Sequence, residues 1–262
     1  MVPRRPSINN NNKENIMGRR DHGRSNTNPA ALRIEWKGDI SKGYFSFYDK
    51  EAKENVVIKQ IRFIPLFERH AVGGYSEKHK TGLFSNEIDN LKSQEVVLSK
   101  FQNDKFVEIA RGLYADLEGD RAICFGGSGY QKIVYALILK AKGVEPGTIA
   151  KITMAGSSLG PWFDLTDDER KDTITVTEST EHQKGKNEFR SPVFKIDATT
   201  EENEELAEAA FDKVEAYVKA TGGTVAPRDQ DDQKSPDDDY NQEAPVDQGE
   251  LPPAGDDDNL PF

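Results

Sequence analysis

From Leu32 onward, apolar and polar positions alternate in short runs rather than at helical spacing. In 43–49, Tyr44, Ser46 and Tyr48 fall on one side of an extended chain, with Phe45 and Phe47 on the other. The two phenylalanines are expected to point inward and the tyrosines outward. In 56–64, Gln60 and Arg62 share one face and Val57, Ile61 and Phe63 the other. Strict alternation puts Lys59 on the apolar side, so a bulge intervenes or the lysine lies at a rim. In 130–140, Tyr130 and Lys132 share a face, opposite a ridge of Ile133, Tyr135, Leu137 and Leu139. The pattern predicts strands at 32–36, 43–49, 55–64, 94–98, 105–111, 121–125, 130–140, 147–154, 173–178 and 189–196. Turn signals separate them at Gly38-Asp39, Lys50–Glu54, Asn103-Asp104, Glu118–Asp120 and Glu145–Gly147. Strands this closely spaced predict a mainly β domain, an antiparallel barrel or sandwich.

Two stretches break the alternation. Residues 65–88 read as a long loop that mixes Arg69, His70, Tyr75, Lys78, Lys80 and Phe84 around Gly73-Gly74. Basic and aromatic groups on a glycine hinge suit a flap. Residues 200–220 form one long helix. Thr199 with Glu202 offers a capping box, and Leu206, Ala210, Val214 and Tyr217 make an apolar stripe. Gly222-Gly223 ends it. The stripe fits a helix docked on the sheet better than one awaiting a partner.

Charge divides the 262 residues into regions. Residues 1–30 carry a net +4, 31–197 balance to zero, 198–227 carry −5 and 228–262 carry −10, within a total of −11. The expected organisation is a disordered basic arm (1–30), one domain (31–222) and a disordered acidic tail (223–262). The single cysteine, Cys124, and four scattered histidines exclude an internal disulfide and a zinc cage. No cofactor is expected. The longest apolar run, Ile133–Leu139, is far short of the ~20 residues of a membrane helix. Arginines near the start are not followed by an apolar segment, so no secretory signal is read and a cytoplasmic protein is expected.

The run Asp256-Asp257-Asp258-Asn259-Leu260-Pro261-Phe262 places apolar groups after a cluster of acids. The aspartates suit a basic rim, while Leu260, Pro261 and Phe262 suit an apolar pocket beside a cation for the carboxylate. This ending resembles the acidic tip of bacterial single-stranded DNA-binding proteins. The centre resembles the single-stranded DNA-binding proteins of tailed bacteriophages and prophages. The similar segments are Lys42–Asp49, Gly74–Ser76, Gly82–Ile88, Gly112–Tyr114, Lys132–Tyr135, Gly156–Trp162 and Ser191–Phe194, in that order. The resemblance implies an OB-type barrel that coats single-stranded DNA in replication, recombination and repair. It also implies that the tip recruits a polymerase, helicase, primase or nuclease.

Binding without a sequence code needs cations along the phosphates and aromatic faces for the bases. The candidate DNA contacts are Lys42, Tyr44, Tyr48, Lys59, Arg62, Arg69, Tyr75, Lys78, Lys80, Phe84, Tyr130 and Lys132. Two catalytic patterns fail on context, and no enzyme is expected. Gly156-Ser157-Ser158-Leu159-Gly160 fits a nucleophile elbow, with Asp164 or Asp172 and then His182 downstream. Such an elbow needs a parallel sheet with crossover helices before it, which this chain lacks. Gly126–Gly129 lacks the Lys-Ser/Thr that completes a phosphate loop. The competing reading is an acidic adaptor that binds no DNA, supported by the net charge alone.

Overall fold

The computed structural model describes residues 27–38, 43–103 and 105–221. Eleven strands join one sheet. They are β1 (Leu32–Lys37), β2 (Tyr44–Asp49), β3 (Glu54–Ile58), β4 (Ile61–Ser76), β5 (Thr81–Ser85) and β6 (Val96–Gln102), then β7 (Lys105–Gly112), β8 (Tyr130–Ala141), β9 (Thr148–Ala155), β10 (Thr173–Lys184) and β11 (Asn187–Asp197). The hydrogen-bonded order is β3-β2-β1-β9-β8-β4-β5-β6-β7, with β10 on the first residues of β4 and β11 beside β10. The β1–β9 pair is parallel and the others are antiparallel. Among the described residues three α-helices are added: α1 (Glu118–Phe125), α2 (Leu159–Phe163) and α3 (Glu201–Ala220). Among the described residues no helix is long and apolar enough to cross a membrane.

The first half of the sheet curls around one core. Phe45 and Phe47 of β2 and Ile58 of β3 pack in the same cluster as Ile174 and Val176 of β10, which joins the sheet at β4. Ile34, Val134 and Ile152 line this cluster, and Trp162 of α2 plugs it at 0% exposure. The curl stops short of closure. Among the described residues no ladder joins β3 to β10 or β11, so the sheet is open. At the rim, the Arg190 N–H donates to the Gly38 carbonyl (3.3 Å). The expected inward Phe45 and Phe47 are found, both buried.

A second core lies on the other side of β8. Ile133, Tyr135 and Leu137 pack against Ala207, Ala210, Val214, Tyr217 and Val218 of α3. The predicted ridge is therefore buried by the predicted helix, as a strand covered on both faces requires. The helix details differ. Leu206 is half exposed, and Ala207 and Val218 turn inward in its place. The cap residue is Thr200, which makes no side-chain cap bond, and the Thr199 hydroxyl is bonded to Thr173 (3.0 Å) instead of capping the helix. Gly222-Gly223 lies outside the described residues.

Three further expectations are corrected. Residues 121–125 are not a strand but the end of α1. Glu118 and Asp120 sit in its first turn, Arg121 and Cys124 face inward, and Gly126 ends it in the left-handed conformation (φ 65°). Residues 55–64 are two strands, broken at Lys59-Gln60, and Lys59 is an exposed bend residue. Residues 65–88 are not a loop. β4 runs through them to Ser76, and only residues 77–80 turn before β5. β4 pairs with β8 up to Val72, then with β5 from Gly73, so one strand carries the sheet from its curled half into a smaller half. There Val72, Leu83, Val96, Leu98 and Cys124 form a third core beneath α1.

Candidate nucleic-acid interface

Residues opposite one another in a ladder share a face, so the registers place side chains across the sheet. The face turned away from the first core can be followed from β2 to β7. Tyr44 lies opposite Lys37 and Ser46 opposite Glu35. Arg33 pairs with Lys151 and Glu35 with Thr153. Gln131 pairs with Ala155 and with Ala71, two residues before Gly73. Gly73 faces Phe84, and Tyr75 faces Gly82. Phe84 faces Ser99, and Phe101 faces Phe106 with ring centroids 5.3 Å apart. Tyr44, Tyr75, Phe84, Phe101 and Phe106 thus lie on one continuous surface.

α3 covers part of this face through Ala71, Ile133 and Tyr135. Next to the helix, a buried polar cluster seals the sheet. Glu87 is 5% exposed; it accepts from the Tyr135 hydroxyl (2.8 Å) and from Lys151 Nζ (2.9 Å). Burial, with the Glu87 charge beside it, pushes the Tyr135 phenol far above its ordinary value. Beyond the cluster is an open cleft of about 200 Å³, lined by Arg33, Glu35, Gly73, Gly82, Phe84 and Gln131 among others. Its floor needs glycine. A Cβ on Gly73 would stand 2.9 Å from the Leu83 carbonyl oxygen, and one on Gly82 would stand 3.1 Å from the Phe84 ring.

The cleft's polar wall is pre-arranged. Arg33 Nε donates to Thr153 Oγ1 (3.2 Å) and pairs with Glu35 Oε1 (3.0 Å), and its Nη2 donates to Gln131 Oε1 (3.3 Å). Lys37 holds the other Glu35 oxygen (3.2 Å). A guanidinium held this way has already lost side-chain freedom, so less entropy remains to be lost on contact with a ligand.

The residues named from sequence are divided by the fold. Tyr44, Tyr48, Tyr75 and Phe84 are half-buried, and Tyr44, Tyr75 and Phe84 are brought onto the outer face. Lys78 and Lys80 sit exposed in the turn beyond Tyr75, with Lys80 paired to Glu77 (2.5 Å). Lys59 and the half-buried Arg62 lie at the opposite end of β4. Arg69 is corrected outright: it is 0% exposed, donating to the Glu87 carbonyl (2.8 Å) and pairing with Asp89. It anchors the 86–89 segment to β4 and offers nothing to a ligand. Lys132 is corrected likewise, being 8% exposed and paired with Glu68 (2.8 Å). Tyr130 faces the other way. Its hydroxyl meets His70 Nδ1 (2.7 Å), and its ring lies against Phe163 and Tyr114. Lys42 and the segment containing Asp256, Asp257, Asp258, Leu260, Pro261 and Phe262 lie outside the described residues.

Arg33, Gln131, Phe101 and Phe106 escaped the sequence reading. Lys100-Phe101 and Lys105-Phe106, set symmetrically about the Asn103 turn, were the available signal for the last two. Apart from Glu35 two positions on, nothing local marks Arg33 or Gln131, whose hydrogen bonds to Thr153 and to each other span about 100 or more positions. In the elbow-like segment the Ser157 hydroxyl donates to the Arg190 carbonyl (2.6 Å) and Ser158 donates to the Ala155 carbonyl (2.9 Å), while His182 pairs with Ser191 (2.7 Å).

No protein-family model, curated protein or solved structure matches the chain.

Proposed function

We propose that the protein binds single-stranded DNA with little base preference and coats it during the replication and recombination of phage DNA. The observation that carries this reading is the row of aromatic residues on one sheet face, Tyr44, Tyr75, Phe84, Phe101 and Phe106, beside a cleft with a fixed arginine. Bases of any identity stack on such rings, and cations at the border track the phosphates. The curl of seven strands around one core supports an OB-type barrel as the framework. The acidic-apolar segment Asp256–Phe262 is proposed to recruit a replication or recombination partner, its ring filling a pocket and its aspartates meeting a basic rim.

The test is a fluorescence-anisotropy titration with oligo(dT) and with duplex of equal length at moderate salt. Binding is expected for the single strand and should be much weaker for the duplex, whose stacked bases hide their faces. Equal affinities for the two would overturn the proposal.

A further inference from the structure

The row of rings reads no sequence, but the cleft at its centre is not chemically neutral. Its wall is rich in donors. Two of the five N–H groups of Arg33 have partners, Nε shared between Thr153 and Glu35 and one on Nη2. Gln131 Oε1 accepts from Arg33, which fixes the acceptor end of the amide, and its NH2 group brings two N–H donors to the cleft. Thr153 Oγ1 accepts from Arg33, so its own hydroxyl proton can be donated. The nearest carboxylate already carries a cation on each oxygen, Glu35 Oε1 paired with Arg33 and Oε2 with Lys37.

Shape narrows the ligand further. A cavity of roughly 150 Å³ holds one benzene ring. The cleft, at about 200 Å³ and open to solvent, is of the size to seat a single flat base. Gly73 and Gly82 keep its floor at backbone level, and Phe84 supplies an aromatic wall.

We propose that this cleft is a one-base pocket selective for guanine, whose O6 and N7 face Arg33 and Gln131. The proposal rests on the single-strand-binding reading and adds to it one position where the bound strand is read. Guanine presents two adjacent acceptors on that edge. Adenine sets an amino donor beside N7, cytosine presents an amino donor, and thymine offers O4 next to a methyl group. Against a wall of donors, guanine's O6 and N7 match at both positions; the competing pair of adjacent acceptors on an unpaired base is cytosine's N3 and O2, which the dC oligonucleotide tests.

The experiment compares labelled dT16 with the same oligonucleotide carrying one central dG, dA, dC or 7-deaza-dG, the last lacking N7. One dG should tighten binding by about fivefold in the register that seats the guanine, the low end for a good bidentate contact, and by a smaller measurable factor overall where several registers compete. Replacement by 7-deaza-dG should cancel most of that gain. Gln131→Met, which keeps the side-chain length and removes the donors, should bring the dG:dT affinity ratio towards one. Equal binding of all the oligonucleotides would overturn the pocket and leave the coating function standing. So would a dC preference matching that for dG, or an undiminished preference for 7-deaza-dG. Failure to bind any of them would overturn the proposed function itself.

Discussion

Phe84 and Tyr135 lie on the same face of one sheet, yet truncating them should have opposite results. Phe84 borders the cleft and is half-buried, so Phe84→Ala should weaken single-strand binding by about 1–3 kcal/mol, the worth of one stacked base, with little change in melting temperature. Tyr135 is fully buried and donates to Glu87. Tyr135→Phe should leave DNA affinity alone but cost about 1–3 kcal/mol of stability, because a buried carboxylate oxygen loses its donor. Titration and thermal unfolding of both variants separate the two roles. His70 sets a pH dependence. Burial, with the Lys132 charge adding to it, lowers its pKa from 6.5 to about 4. Between those values the unfolded chain binds a proton that the folded chain does not. The stabilisation is therefore complete above pH 6.5 and declines as pH falls towards 4, by on the order of 2 kcal/mol once water access to the ring is allowed for. Urea unfolding at pH 7.5, 5.5 and 4.5 should show His70→Gln losing that part of the slope. Arg69 and Lys132 read as phosphate contacts in the sequence because a cation's partner is not visible there. Their acceptors, on Glu87, Asp89 and Glu68, are brought to them by the fold.

At the level of elements, alternation was a good guide where one face is apolar and a poor one where polar groups are buried. β2, β8 and α3 were legible for that reason. β4 was not, since Arg69, His70 and the Gly73-Gly74 pair sit inside an extended strand that neither composition nor glycine content favours. The sheet accommodates the pair because the neighbouring β5 backbone passes close by, and Gly74 takes φ 140°. Gly74→Ala should cost about 1–3 kcal/mol through backbone strain alone, read as a lower urea midpoint at unchanged m. The register of α3 gives a sharper check. Val214 is fully buried and Leu206 half exposed. Val214→Ala should therefore destabilise by about 1–3 kcal/mol and Leu206→Ala by less than about 0.5. A Leu206→Ala loss as large as that of Val214→Ala would restore the stripe read from sequence, which contains both.

Over the whole molecule, charge segregates along the chain. The region 31–197 is neutral overall, and residues 228–262 carry −10. Binding to phosphates should weaken with salt, at a slope of about −0.7 in log K per neutralised phosphate of a single strand. The acidic region resembles DNA in sign, so under the proposed function it is expected to compete for the same cations. Removing Asp256–Phe262 should leave single-strand affinity unchanged or slightly raised, with the larger gain at low ionic strength, where screening is least. A loss of affinity would show those residues contributing to the interface. Phe262→Ala should leave this electrostatic effect intact, since it removes a ring and no charge.

The sequence by itself determined the mainly β class, most strand positions, the long helix and the side on which Phe45, Phe47 and the β8 ridge face. These follow from local periodicity, which is set by the geometry of an extended or helical backbone. Only the tertiary structure decided that the sheet stays open and that β4 bridges its two halves. It alone also brought Arg33, Gln131, Gly73 and Phe84 to one cleft. Those residues come from four strands spread along the chain, and the registers that align them depend on pairing energies summed across the whole sheet.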